Sequence, residues 1–378
     1  MARSPSDSPN CCGGGDEDST DSDSTGDETV TVHLTGVGTY VPDETVTGAE
    51  IAELSGIPEE VVVEKMGVRE KRVCRGEGRD GDEDDHPSDM CLAAAEEALA
   101  DADCSTESLD AVRYHGSEYK DYVVWNLAAD VADRLGAASA YASESYALCA
   151  GAPVAIREAA AQLEADALDR VLLVAASREE DLVDYDDPDT SFTFNFGSGA
   201  SAFVLESDSV ADCDRTLARV HGSAAVTDGS FSRDVVMPGG GTRNPPSHES
   251  VEAGIHALRV PDHETMKERL GEVSLANFLD VADTALDRSG SDRGDLDFAA
   301  ITHMKGSFHE HLCDELGLGE RESYYLDEYG HVQSVDQALA TEEARERGWL
   351  APGDTVLYLA AGTGYTWAAT VLEWQGVA

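Results

Sequence analysis

The informative centre of this chain is the stretch Ser143-Glu144-Ser145-Tyr146-Ala147-Leu148-Cys149-Ala150-Gly151. Small apolar residues precede it at 137–142, and an alanine-rich segment with helical spacing follows at 152–163. A thiol at a helix N-terminus faces unpaired backbone N–H groups and the positive end of the helix dipole, both of which favour the thiolate. The pattern predicts a nucleophilic Cys149 between a strand and a helix, with a buried structural cysteine as the alternative.

The 378-residue chain carries a large negative charge, since 76 Asp and Glu against 26 Lys and Arg give a formal net charge of −50. At low salt this charge destabilises the compact state by self-repulsion, whereas molar salt shortens the screening length to about 3 Å. Because the acids are spread along the chain, we expect a cytoplasmic protein of a salt-in halophile, of haloarchaeal type. An acidic surface for a basic partner is the alternative. The sign of the charge disfavours nucleic acid and anionic membranes as partners.

The chain divides into an acidic leader and two halves. Residues 1–28 are rich in Ser, Asp and Gly, which predicts a disordered tail, and the halves are expected at 29–212 and 213–378. Strand-like and helix-like segments alternate from residue 29 onward, which predicts an α/β fold with buried sheets. Between the halves, residues 227–261 are rich in Gly, Pro, Ser and His, as in a surface or lid loop.

Several classes of protein are disfavoured. No segment approaches the ~20 apolar residues of a membrane span, and residues 1–28 lack the apolar core of a signal peptide. The eight cysteines are scattered without a CxxC spacing, so we expect neither a disulfide framework nor a metal site.

Four further motifs follow Cys149 along the chain. They combine glycine turns, strand ends and histidines, and they read Phe194-Asn195-Phe196-Gly197-Ser198-Gly199-Ala200, Ala299-Ala300-Ile301-Thr302-His303, Tyr329-Gly330-His331-Val332-Gln333-Ser334 and Leu359-Ala360-Ala361-Gly362-Thr363-Gly364-Tyr365. Together with Gly36-Val37-Gly38 and Met66-Gly67-Val68-Arg69, their order from about residue 30 to the C-terminus resembles the thiolase superfamily. Within it the chain is most similar to β-ketoacyl-ACP synthase III, with HMG-CoA synthase as a sister family.

The resemblance implies a layered αβαβα sandwich of two pseudo-repeated βαβαβαββ halves, and a homodimer that pairs its central sheets. It also implies an acyltransferase in which Cys149 takes an acyl group from CoA and His303 binds a thioester carbonyl. The backbone of Cys149 and Thr363 would form the oxyanion hole, with Gly362 and Gly364 as a structural glycine turn. Acyl-CoA or an acyl-carrier thioester would be the substrate, without a further cofactor.

Three positions depart from the family pattern. His331 stands where an asparagine is usual, which gives the Cys-His-His set of the elongating ketoacyl synthases. His303-Met304-Lys305-Gly306 replaces a His-Gln-Ala-Asn run that supports docking of the carrier protein or pantetheine. The tryptophan that usually stacks on the CoA adenine is absent from Pro58-Glu59-Glu60-Val61-Val62. The mode of thioester binding therefore does not follow from the resemblance.

Glu118 widens the choice of reaction. It follows a predicted strand, near the place where HMG-CoA synthase has a glutamate general acid/base. Apolar surroundings and nearby negative charge would keep such a carboxyl protonated, as a general acid requires; a solvated or ion-paired Glu118 is the alternative. The predicted function is a Claisen condensation that uses Cys149, His303 and His331. The alternatives are an HMG-CoA synthase-like reaction that uses Glu118, and a non-catalytic subunit that binds acyl-CoA.

Overall fold

The structure is a computed structural model that describes residues 30–74 and 85–376. The tail predicted at 1–28 lies outside the described residues. The strands are β1 (Val32–Tyr40), β2 (Thr45–Thr47), β3 (Glu70–Arg72), β4 (Ala111–Tyr114), β5 (Tyr141–Glu144), β6 (Arg170–Ser177), β7 (Gly199–Ser207), β8 (Ala218–Thr227), β9 (Leu296–Ile301), β10 (Thr355–Gly362) and β11 (Thr366–Trp374). The α-helices are α1 (Gly48–Ser55), α2 (Glu59–Val61), α3 (Pro87–Asp101), α4 (Leu127–Leu135), α5 (Gly151–Glu164), α6 (His248–Glu252), α7 (His263–Ser289), α8 (Gly306–Leu316) and α9 (Asp336–Glu346).

Nine of the strands in these two ranges form one mixed sheet in the order β5-β4-β6-β7-β1-β8-β11-β10-β9. The first five strands of this order precede residue 208, and the last four follow residue 217. Strand β4 runs parallel to β5 and β6, and β9 runs parallel to β10, while the other neighbours are antiparallel. The two groups meet where three residues at the start of β1 pair with three at the start of β8.

Both groups follow the same path through the sheet. If the strands of the first group are numbered 1 to 5 along the chain, they lie in the order 3-2-4-5-1. The second group has the same order, but its third member is reduced to one bridge between Ala299 and Ser323. This repeat confirms the predicted thiolase-like fold of two βαβαβαββ halves.

Helices α5 and α9 lie between the two groups of strands. Ile156 of α5 and Leu339 of α9 share one buried cluster with Leu205 of the first group and Val356 of the second. On the outer side of the first group, α3 and α4 pack against β4, β6 and β7, and on the outer side of the second, α7 and α8 pack against β8 to β11. Because α5 is covered on two sides, it consists largely of alanine and other apolar residues, whereas α9 buries Ala338, Leu339, Ala340 and Ala344 among polar residues.

The predicted boundary between the halves, at residue 212, falls between β7 and β8 and stays a prediction. Residues 228–261 form turns and the five-residue helix α6. In the part of the chain that the structure describes, no helix is both long enough and apolar enough to span a membrane.

Candidate active site

Cys149 lies at the start of the central helix α5. It belongs to a single 3₁₀ turn, Leu148–Ala150, that leads directly into the helix, and its side chain is buried. Leu148, the residue before it, has a positive φ of 50°. A non-glycine residue in this region costs of order 1–3 kcal/mol, and such strain is concentrated at functional sites. The sharp turn presents the sulfur at the N-terminus of the helix, as the sequence predicted.

The hairpin between β10 and β11 packs against this turn. A Cβ added at Gly362 would lie 2.3 Å from the Ala147 carbonyl oxygen and 3.0 Å from the Cys149 nitrogen, so the backbones meet at a distance that only glycine allows. Gly364, two residues later, has a φ of 119°, which also requires glycine. The predicted glycine turn is therefore adjacent to the backbone of Cys149. The assignment of the oxyanion hole to Cys149 and Thr363 stays a prediction.

His331 contacts the sulfur of Cys149 directly. Its Nε2 lies 3.1 Å from the Cys149 Sγ, and its Nδ1 lies 2.7 Å from Oδ2 of Asp336. The His331 backbone is held on both sides, because its N–H donates to the Asn195 carbonyl at 2.7 Å and its carbonyl accepts from Gly197 N–H at 2.9 Å. The ring therefore lies between a thiol and a carboxylate with little freedom to turn.

The electrostatics of His331 are set by competing effects. Burial alone lowers the pKa of His331, but the charges of Asp336 and Cys149 and their hydrogen bonds outweigh it and raise the pKa well above its ordinary value. A protonated His331 beside the sulfur is therefore the stable form near neutral pH.

His303 follows strand β9 and lies on the other side of Asn195. The Asn195 amide nitrogen is 3.4 Å from Nδ1 of His303, and the ring stacks on Tyr325 with centroids 4.8 Å apart. Nδ1 therefore acts as the acceptor and the ring proton sits on Nε2. Within residues 30–74 and 85–376, Nε2 has no hydrogen-bond partner. Desolvation by burial lowers the pKa of His303 to about 3, so the ring is neutral and Nε2–H is free to bind an oxygen.

Two carboxyl groups near the site differ in their burial. The side chain of Glu118 is exposed, whereas Glu179, after β6, is partly buried near His331. Glu179 accepts from the Ser117 hydroxyl at 2.6 Å and from the Gln333 amide at 2.9 Å. Burial raises the pKa of Glu179 against these hydrogen bonds and against the nearby His331. Sequence reasoning did not identify Glu179 or Asp336, because single acids carry no signal in a chain with 76 of them.

No set of three or more His, Cys, Asp or Glu side chains in the described ranges is arranged to hold a metal ion. The buried groups that converge here are a thiol, two imidazoles, and the backbone of a glycine turn. Such a set can form and break a thioester and can bind the carbonyl oxygen of a second one.

Comparison with known families agrees with this chemistry. Residues 144–229 match the family model for 3-oxoacyl-[acyl-carrier-protein (ACP)] synthase III, and residues 286–374 match the model for the C-terminal part of the same synthase. The first range includes Cys149, and the second includes both histidines and the glycine turn.

Individual relatives match over almost their full length. The β-ketoacyl-[acyl-carrier-protein] synthase III of Caldanaerobacter subterraneus subsp. tengcongensis is 26% identical over 349 residues, which cover 92% of this chain and 99% of the relative. A synthase III of Streptomyces coelicolor is 29% identical over 91% of this chain and 97% of its own. The crystal structure of the synthase III of Aquifex aeolicus VF5 superposes with a TM-score of 0.75 at 21% identity, covering 91% of this chain and 100% of that one.

The fold, the matched models and these relatives define a thiolase-fold condensing enzyme, which is an acyltransferase. The chain belongs to the 3-oxoacyl-ACP synthase III family.

Proposed function

We propose that the enzyme takes an acyl group from a CoA thioester onto Cys149 and joins it to a second thioester by Claisen condensation. The observation that carries this proposal is the 3.1 Å contact between Cys149 Sγ and His331 Nε2, which joins a nucleophile to a proton acceptor at a helix N-terminus. Relatives named β-ketoacyl-ACP synthase III support the same reaction class.

In the first half-reaction, the Cys149 thiolate attacks the thioester carbonyl. The backbone beside Gly362 and Cys149 would bind the oxyanion, and CoA leaves as its thiol. In the second half-reaction, His303 Nε2–H and His331 would bind the carbonyl oxygen of the second thioester. They would stabilise the enolate that forms when this thioester loses carbon dioxide or a proton from its α-carbon. The enolate carbon then attacks the acyl carbonyl, and the Cys149 thiolate leaves.

Incubation with radiolabelled acetyl-CoA, followed by acid quench, tests the first half-reaction. We expect acid-stable label on the wild type and none on Cys149→Ala. A Cys313→Ala variant is a matched control, because Cys313 is a free, partly buried cysteine on α8. A wild type that stays unlabelled with every short acyl-CoA tested would exclude the enzymatic assignment in favour of a non-catalytic acyl-CoA-binding subunit. Label that persists on Cys149→Ala would exclude the assignment of the nucleophile.

The alternative is an HMG-CoA synthase-like condensation with Glu118 as general acid/base. It predicts that Glu118→Gln stops carbon–carbon bond formation while self-acylation persists, and that no malonyl thioester is needed. The exposed position of Glu118 favours the first proposal, in which Glu118→Gln has little effect. The assays belong in molar KCl, because self-repulsion at a charge of −50 destabilises the fold in dilute buffer.

We also propose a homodimer, as the resemblance implies. Strand β5 is an edge of the sheet, and the nearby loop exposes Tyr122, Val123 and Val124. Lys120 anchors this loop through a buried ion pair with Glu144, 2.6 Å from its Oε2. A clustered apolar tip next to an unpaired edge strand favours an interface with a second copy.

Light scattering in molar KCl tests the dimer. We expect about twice the 40.1 kDa mass of the chain for the wild type. Val123→Asp should yield monomers, whereas Val251→Asp, at an exposed valine on α6, should not. An active wild-type monomer would contradict the dimer.

The proposed location is a high-salt cytosol, which the acidic composition supports.

A further inference from the structure

Asp336 is a buried carboxylate that touches both histidine segments. Its side chain is fully buried at the first position of α9, behind the two rings. Oδ2 accepts from His331 Nδ1 at 2.7 Å and from the His303 backbone N–H at 2.8 Å, and Oδ1 accepts from Val332 N–H at 2.7 Å. One carboxylate thus fixes the ring of one histidine and the backbone of the other.

The hydrogen bonds define where protons can sit on His331. Because a carboxylate only accepts, Nδ1 of His331 carries a proton, and Nε2 is left for the Cys149 sulfur. One proton is then shared along the line from Sγ to Nε2. When this proton moves to Nε2, the His331 ring becomes an imidazolium between the Cys149 thiolate and the Asp336 carboxylate. A buried imidazolium is stable only beside such counter-charges.

We propose that Asp336 is the positioning residue that makes Cys149 and His331 a thiolate–imidazolium pair, a role that rests on the proposed function. In acylation, the Cys149 sulfur forms the bond to the acyl carbon and the bond from that carbon to the CoA sulfur breaks. The proton that Cys149 lost to His331 Nε2 passes to the departing CoA thiolate, so charge and protons balance. An asparagine at position 331 could donate to an oxygen, but it could not carry this proton.

The pair has other titratable neighbours, which bear on its pH dependence. Besides Asp336 on α9, His331 faces Glu179 after β6 and His303 after β9. Cys149 faces Tyr365 of the β10–β11 hairpin, and burial followed by the charge of Cys149 raises the pKa of this tyrosine. Among the residues that the structure describes, only Asp336 has a hydrogen bond to the His331 ring opposite Cys149.

The pH dependence of Cys149 alkylation by iodoacetamide tests the proposal without requiring turnover. Mass spectrometry separates the Cys149 peptide from those of the other cysteines. For the wild type we expect a rate that is nearly constant from pH 6 to 9. For Asp336→Asn we expect the rate to follow an ordinary thiol, with a midpoint at about 8.5, and to fall about 100-fold at pH 6. Glu342→Gln, which removes one negative charge from the same helix, is the matched control and should behave as the wild type.

A double-variant cycle separates positioning from a general structural role. If Asp336 acts through His331, then Asp336→Asn should have no further effect on alkylation in a His331→Asn background. An equal effect in both backgrounds would overturn the proposal, as would an Asp336→Asn profile that superposes on the wild type. Failure of the proposed function is distinguishable, because it would abolish acyl labelling and leave these alkylation profiles unchanged.

A measurement on the wild type covers the case in which Asp336→Asn does not fold. Nitrogen-15 spectra of histidine-labelled protein report the protonation of each ring, and His331→Asn assigns the signal of His331. We expect His331 to stay protonated from pH 6 to 9. Titration of this signal near pH 6.5, the ordinary value for histidine, would overturn the proposal.

Discussion

The segments that carry His331 and His303 share a carboxylate but have opposite electrostatic properties. Asp336 accepts from the ring of His331, whereas it accepts from the backbone of His303. The ring of His331 therefore gains a counter-charge, and its pKa is raised well above the ordinary value despite burial. The ring of His303 has no hydrogen bond to the carboxylate, and burial outweighs the charge of Asp336 and lowers the pKa of His303 to about 3.

The difference shows that burial does not by itself set the charge of an active-site histidine. Both rings are buried, and both lie in the same pocket wall around Asn195. The hydrogen bonds of the ring distinguish the two, because those to Asp336 and Cys149 stabilise the imidazolium of His331, whereas Asp336 bonds only to the backbone of His303. One histidine is then suited to carry a proton and the other to donate to a carbonyl oxygen.

The largest expected effect comes from His331→Ala. It removes the proton acceptor of Cys149 and one donor to the second thioester, so both half-reactions should slow by at least about 10²–10³. Acyl labelling and condensation, measured separately, check this. His331→Asn is the matched comparison, because it keeps a donor: condensation from pre-acylated enzyme should recover relative to His331→Ala, while acylation should not. Unchanged acylation in both variants would show that His331 acts only on the second thioester.

His303→Ala should affect one half-reaction only. His303 is neutral and its ring has no hydrogen bond to Cys149, so its loss removes a donor to the second thioester and leaves the nucleophile intact. We expect condensation to fall about 10²–10³-fold, while acyl labelling and the pH profile of Cys149 alkylation stay those of the wild type. A shifted alkylation profile would mean that the two histidines are not separable in this way.

The sequence predicted the parts of this site that have a local pattern. Cys149 stands at a strand–helix junction, His303 follows a buried strand, and the glycines of the β10–β11 hairpin follow another, as their motifs indicated. The same is true of the fold, where alternating strands and helices predicted an α/β fold with buried sheets, and the family resemblance implied the layers. The 27-residue helix α7 was not predicted, because its mixed polar sequence gives a weak helical pattern.

The remaining features depend on three-dimensional contacts. Asp336 lies 33 residues from His303 and 187 from Cys149 in sequence, so its position next to both segments is visible only after α9 has packed between the sheets. Glu118 has the expected place at a strand end, but the loop that follows turns its side chain outward. The catalytic roles of Cys149, His303 and His331 stay proposals.

Asn195→Ala should have a smaller effect than either histidine variant. The variant loses the amide that faces His303 Nδ1, but it keeps the backbone carbonyl that accepts from His331 N–H. A single hydrogen bond contributes about 0.5–1.5 kcal/mol, so condensation should fall by about two- to tenfold. Alkylation of Cys149 should not change. An effect on alkylation as large as that on condensation would show that Asn195 supports both rings equally.

The smallest effect concerns His115, a third buried histidine, which tests burial without any counter-charge. Both of its ring nitrogens lack partners in the described part of the chain, and burial lowers its pKa to about 3. The unfolded chain, with an ordinary value of about 6.5, therefore binds more protons between pH 3 and 6.5, so the free energy of unfolding falls as the pH falls through this window. His115→Leu removes that contribution, at up to about 1.4 kcal/mol per pH unit.

Urea unfolding in molar KCl between pH 5 and 7 measures this contribution as a difference between variants, in which the many carboxyl groups cancel. We expect the stability of His115→Leu relative to the wild type to increase as the pH falls below 6.5. His248→Leu is the control, because His248 is 84% exposed and should give no such trend. A flat difference for His115→Leu would mean that burial does not suppress protonation there. In that case the neutral state of His303 could not be attributed to burial either, and the contrast with His331 would need another cause.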